Sequence, residues 1–145
     1  MDPQVQLFHT LHNAYYSIAL SEMRSGRKRS DWMPYIFPQM CKTEEDRTAM
    51  RGILSLAAAR AILQDPVLRD HLVEITTAVL ELPDYHIGRI FSQPDADQFH
   101  SFLTLFMAAD PDEKIFRLAL DKFFDGHPDS GTVDAMKQQE NKRFA

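Results

Sequence analysis

Apolar residues recur along this chain at spacings of three and four, and short polar devices cut the pattern into helices. Val5, Phe8, Leu11, Tyr15, Ile18 and Glu22 form the first such series. Asp2-Pro3 opens it as cap and first helical residue, and Gly26 is its natural stop. Thr43-Glu-Glu-Asp46 predicts a capped, negative first turn, with a short helix over residues 47–51 broken near Gly52. Ser55 caps an Ala-rich piece over residues 56–64. Asp65-Pro66 repeats the opening device before Leu68, Leu72, Ile75, Val79 and Leu82, and Pro83 ends that helix. Residues 87–91 read as a short apolar turn or helix, and Gln93-Pro-Asp95 is punctuation. Phe99, Phe102, Leu103, Phe106 and Met107 predict the most hydrophobic helix, expected at the centre. Asp110-Pro111 uses the capping device a third time, ahead of Ile115, Leu118, Ala119 and Phe123, with Gly126 as the stop. Thr132 caps a last helix through Met136, and residues 138–145 are polar and expected to fray. No alternating run is long enough for a sheet. The expectation is an all-α single compact domain over residues 1–145, of about six or seven helices with one irregular aromatic and proline loop.

That loop, residues 26–39, holds the only Trp and two of the eight prolines. Two prolines so close exclude a regular helix, because each lacks an N–H and restricts its neighbour. Arg27, Lys28 and Arg29 lead directly into Trp32, Tyr35 and Phe37. One reading is a pocket, in which Trp32 and Tyr35 stack on a flat ligand while Arg27 or Arg29 neutralises an anion. The plainer reading is a plug, with Trp32, Ile36 and Phe37 buried to fasten the loop. The two agree if Trp32 and Phe37 turn inward while Tyr35 and Gln39 face a cleft.

Charge adds a qualification. Arg24, Arg27, Lys28 and Arg29 place +4 within six residues of a chain whose net charge is −5, so the remainder carries −9. A local anion site is compatible with that balance; general nucleic-acid binding is not expected. Cys41 is the single cysteine, which excludes an internal disulfide and a multi-cysteine zinc site. The first residues lack the basic and apolar segments of a signal peptide, and no apolar run approaches roughly 20 residues, so neither secretion nor membrane insertion is expected. A cytoplasmic location is the default expectation.

Other candidate chemistry reads weakly. His9 and His12 share a helix face, but no third ligand is evident, and both read as surface or capping residues; no metal is expected. His71, His86, His100 and His127 are scattered. Nothing around Cys41 resembles a nucleophile setting, and five glycines form no phosphate-cradling loop, so no cofactor is expected. Asp31 and Asp95 are the loop carboxylates not explained as helix caps, although a turn role suits each.

The run from Tyr16 to Met33, with Ile36-Phe-Pro-Gln39, closely resembles the domain-of-unknown-function family eighteen-ten, whose bacterial and fungal members are sometimes labelled calpastatin. The resemblance continues through Asp65-Pro66-Val-Leu68, Ile90-Phe91, Pro94-Asp95, Ser101, Thr104-Leu-Phe106, Phe124-Asp-Gly126 and Thr132. It implies an all-α single domain and no particular activity. This chain departs from the family pattern: Asp31 stands for a usual His, Pro34 for an aromatic, Asp65 for a His, and Phe102 for a frequent Ser. Ala96 and Gln98 replace a frequent Asp and Lys, and Cys41-Lys-Thr43 occupies the place of a Gly-Leu-Gly. Polar positions have thus become apolar or changed charge.

Three functions are compatible with these residues. The first is binding of an organic small-molecule ligand in a pocket beside the Trp32 loop, using Arg27, Arg29, Trp32, Tyr35, Gln39, Asp95, Phe102 and Thr104. The second is a small cofactor-independent enzyme, a cyclase, isomerase or lyase, with Asp31 as acid or base and Tyr35 and Arg29 orienting the substrate. The third is a protein-interaction module that docks an acidic partner on the basic cluster. The oligomeric state is left open.

Overall fold

In the computed structural model, which describes residues 3–49 and 51–144, most helices begin where a side chain takes up a free backbone N–H, while those starting at Met33 and Asp95 have no side-chain cap. α1 (Pro3–Ser25) ends at Gly26, whose φ of +100° a side chain would resist. Asp2 lies outside the described residues. α2 (Met33–Ile36) is a single turn with Pro34 in its first positions, so the two prolines shorten the helix without abolishing it. α3 (Glu44–Thr48) is capped by Thr43, which accepts from the Asp46 amide at 3.0 Å. It therefore starts at the predicted cap and is over before Arg51, shifted from the expected 47–51. α4 (Leu56–Gln64) is capped by Ser55 at 3.1 Å from the Ala58 amide. α5 (Pro66–Leu80) is capped by Asp65, which accepts from the amides of Val67 at 3.0 Å and Leu68 at 3.1 Å. A single 3₁₀ turn, Ile87–Arg89, precedes α6 (Asp95–Ala109).

Two expected caps are misplaced. Asp110 does not start α7 (Lys114–Phe124): its carboxylate closes a turn on the Asp112 amide at 3.2 Å and pairs with Arg69 at 2.9 Å, and Glu113 caps the helix instead. For α8 (Ser130–Phe144) the cap is Asp129, which accepts from the Thr132 amide at 3.0 Å. Thr132 is already inside the helix, which continues well beyond Met136 to Phe144. The described residues thus hold eight α-helices, slightly more than expected, because residues 33–36 wind a turn of their own. They hold no strand; one isolated parallel bridge joins Met40 to Ile53.

α6 is central, packed against α4, α7 and α8. Its buried Phe99, Phe102 and Phe106 join Phe37, Phe91 and Phe116 in a chain of tilted and edge-to-face rings. Each large ring removed from water stabilises the fold by roughly 2–3 kcal/mol, before the favourable edge contacts. α1 corrects the predicted stripe. Its buried face is Val5, Phe8, His12, Tyr16, Ala19 and Met23, whereas Leu11 is half-buried and Tyr15 and Ile18 are exposed. α1 carries two apolar rows, and a reading by spacing alone crossed from one to the other after Phe8.

Candidate functional site

Residues 26–39 are held by one carboxylate at the end of α1. Glu22 Oε1 accepts from the Arg29 amide at 2.7 Å, the Ser30 amide at 2.9 Å and the Trp32 indole N–H at 2.9 Å, and Oε2 accepts from the Ser30 hydroxyl. Burial pushes this carboxyl up, but the hydrogen bonds outweigh it and hold it down to about 2. Trp32 is fully buried, as are Ile36 and Phe37. The indole therefore fills a space inside the protein and offers no face to a ligand. The basic cluster is also partly spent. Lys28 reaches inward to Asp95 at 2.8 Å and lies over the Trp32 ring at 5.5 Å, and Arg24 approaches Glu74 at 3.7 Å. Arg27, Arg29 and Asp31 are exposed.

The other side of the loop borders a cleft of about 540 Å³. One wall is the first turns of α1, through Gln4, Leu7, Phe8 and Leu11; the second is Pro34, Tyr35, Pro38, Gln39 and Met40. Asp46, Arg51, Gly52 and Ile53 close the far side, and Gln98 comes from α6. The local fold explains this shape. Cys41 N–H donates to the Ile53 carbonyl at 2.9 Å and Ile53 N–H to the Gln39 carbonyl at 2.8 Å, which draws the two loops together. Gly52 makes that approach possible: its φ is +92°, and a Cβ there would sit 2.6 Å from the Gln39 carbonyl oxygen. The Gln4 amide donates to the Gly52 carbonyl at 3.2 Å and the Gln98 amide to the Phe37 carbonyl at 3.0 Å, so side chains brace both walls.

Of the residues expected at a ligand, Tyr35 and Gln39 line this cleft. Trp32 and Phe102 do not, because both are fully buried in the core. Thr104 is buried too, its hydroxyl donating to the His100 carbonyl at 2.9 Å and accepting from the Asp129 amide at 2.9 Å. Asp95 is taken by Lys28, and Arg27, Arg29 and Asp31 lie outside the lining. The sequence reading missed Phe8, Leu11, Met40, Asp46, Arg51 and Gln98. The signal it held was Gly52, read as a helix break when its position marks a close backbone approach.

Behind Tyr35 runs an imidazole pair, His12 with the half-buried His71. His12 is fully buried, contrary to the expected surface role. Its Nδ1 lies 3.0 Å from the Tyr35 carbonyl, and its Nε2 lies 3.0 Å from His71 Nδ1. A carbonyl only accepts, so His12 Nδ1–H donates to it and His12 Nε2 accepts from His71 Nδ1–H. Burial pushes His12 down to about 4 and His71 down as well, which favours the neutral His12 ring that this hydrogen bonding uses. His9 pairs with Asp65 at 3.0 Å. Tyr16 stacks on His71 at 3.7 Å between ring centres and donates its hydroxyl to Glu74. Cys41 is buried and donates its thiol to the Arg51 carbonyl at 2.7 Å; burial pushes its pKa up, so it is an inert thiol. Among the described residues, no three His, Cys, Asp or Glu are grouped to hold a metal ion, and no helix is long and apolar enough to cross a membrane.

A family model described as a protein of unknown function, DUF1810, matches residues 2–136. The fold is similar to the crystal structure of a conserved hypothetical protein from Mycobacterium tuberculosis, with 32% identity and a TM-score of 0.85 over 92% of this chain and 96% of the other. No curated protein matches the chain.

Proposed function

The chain belongs to the DUF1810 family of proteins of unknown function, and within it we propose that this member binds an organic small molecule in the cleft between α1 and residues 34–53. The observation that carries this reading is the cleft itself, whose volume of about 540 Å³ lies in the range of small-molecule sites. Phe8, Leu11, Pro34, Tyr35 and Met40 offer an apolar body to a flat ligand, while Gln39 and Gln98 bring amides for orientation. Asp46 and Arg51 stand on one side, so a ligand with one polar or charged end fits better than a polyanion. Tyr35 is preorganised. Its ring stacks on Tyr15 with centres 5.0 Å apart, and its carbonyl is fixed by His12. The geometry lends no support to Asp31 as an acid or base, because that carboxylate is exposed and outside the lining.

The test is an amide chemical-shift titration against a panel of aromatic and nucleotide-like compounds. Binders are expected to move the signals of Gln39, Gly52 and Gln98 while leaving the Trp32 indole N–H in place. Tyr35→Ala is expected to weaken such a binder by about tenfold, the loss of roughly 1.4 kcal/mol of ring contact. A panel that moves none of these signals, or moves a different surface, overturns the reading.

A further inference from the structure

The lining of the cleft carries two charged residues, and they are opposite in sign. Of its fourteen residues only Asp46 and Arg51 are charged; the other twelve are neutral, and most are apolar. The two stand close together. The Arg51 amide donates to the Asp46 carbonyl at 2.8 Å, so the chain returns both residues to the same side of the cleft.

These charges do not neutralise each other. Arg47 turns to Glu44 at 3.8 Å and Arg51 to Glu45 at 3.8 Å, so among the described residues the half-buried Asp46 carboxylate pairs with no cation. The Arg51 contact is itself weak, because its side chain is 66% exposed and that of Glu45 82%. A guanidinium so loosely held is free to take a better-placed carboxylate through its planar fork.

A matching ligand therefore carries a cation and an anion on neighbouring atoms, with an apolar body behind them. A simple carboxylic acid or amine meets one charge and leaves the other opposed or unanswered. A peptide terminus has the same defect. A free α-amino acid holds both charges on one carbon. The body of the cleft selects the side chain: Tyr15 covers one face of the Tyr35 ring, so the rest of that ring, with Phe8 and Met40, is left to meet a ligand. We propose that the cleft binds a free α-amino acid with an aromatic side chain. Arg51 takes the α-carboxylate, Asp46 takes the α-ammonium, and the ring lies against Tyr35. This rests on the reading of the cleft as a ligand site.

The probe is phenylalanine, followed by amide chemical shifts beside two truncated analogues. One is 3-phenylpropionate, which lacks the ammonium, and the other is phenethylamine, which lacks the carboxylate. Phenylalanine is expected to move the signals of Gln39, Gly52 and Gln98 and to bind about tenfold more tightly than either analogue. Asp46→Asn is expected to erase the advantage over 3-phenylpropionate and keep the advantage over phenethylamine; Arg51→Gln is expected to do the reverse. Both side chains lie outside the core, so the Trp32 indole signal is expected to hold its place in each variant. Phenylalanine that binds no better than its analogues overturns the proposal, as does a preference that survives both substitutions. Aromatic compounds that enter the cleft while phenylalanine does not also overturn it, and leave the cleft standing as a ligand site. A cleft that takes no compound removes both readings.

Discussion

His12 shows how far a residue's role can lie from its sequence context. It stands in α1 one residue after the half-buried Leu11, yet the helix turns it into the core, where Tyr35 and His71 satisfy both ring nitrogens. The arrangement requires the neutral ring. The folded pKa is about 4 against 6.5 in an unfolded chain, so above pH 6.5 neither state is protonated and stability is at its full value. As pH falls from 6.5 to 4, the unfolded chain takes up a proton that the folded chain refuses. Stability should decline across that window by about 3 kcal/mol in total and level off below it, as far as this ring is concerned. His71, lowered in the same direction, steepens the same slope. Denaturant midpoints measured at closely spaced pH values report the decline, and the His12 ring proton shift in the folded protein should hold its neutral value down to about pH 4. A ring that titrates near 6.5 while the protein stays folded would refute the assignment.

At the scale of elements, the helices were legible because their ends are written locally. Thr43 precedes an acidic first turn, and Ser55 and Asp65 precede apolar series; each caps there, and the structure places helices at all three. The same rule failed at Asp110, whose carboxylate is drawn to Arg69 and the Asp112 amide, contacts no local pattern announces. The two-row character of α1 was also hidden, since both rows have helical spacing and only packing decides which is buried. Gly52 belongs at this scale too, because it sets the distance between two segments. Gly52→Ala adds a methyl 2.6 Å from the Gln39 carbonyl oxygen at a positive φ, and should cost roughly 2–4 kcal/mol and disturb the cleft. Gly26→Ala meets nothing within 4 Å and should cost only its backbone strain, about 1 kcal/mol. Urea unfolding of both variants, side by side, checks the contrast; equal losses would contradict it.

Across the whole molecule, the all-α class and the central position of α6 followed from the run of phenylalanines, because so many large rings on one helix can be buried only by neighbours on several sides. The site was far less legible. Trp32, Phe102 and Thr104 were marked by their chemistry, but a protein of this size needs most of its large rings as filling, and the first two are fully buried. The cleft instead draws on residues far apart in sequence, such as Gln4, Arg51 and Gln98, whose meeting depends on the tertiary fold. Phe102 therefore belongs to stability: Phe102→Ala should lower unfolding free energy by about 3–5 kcal/mol and leave the cleft's amide signals near their places wherever the variant remains folded. A stable variant with altered signals at Gln39 and Gly52 would return Phe102 to the site.

One oxygen joins distant parts of this architecture. Asp129 Oδ2 accepts from Lys42 Nζ at 2.9 Å, Ser101 Oγ at 2.9 Å, the Thr132 amide at 3.0 Å and Thr132 Oγ1 at 2.6 Å. Burial pushes this carboxyl up, but its donors outweigh that and keep it down to about 2, so it is ionised at neutral pH. Lys42 follows directly on Met40 and Cys41 at the edge of the cleft, so the start of the last helix and the rim of the cavity share an electrostatic anchor. The Lys42–Asp129 pair thus ties the first turn of the last helix to a segment two residues from a hollow built mainly from the first third of the chain, and Lys42→Ala should shift the amide signals of Met40 and Thr132 together.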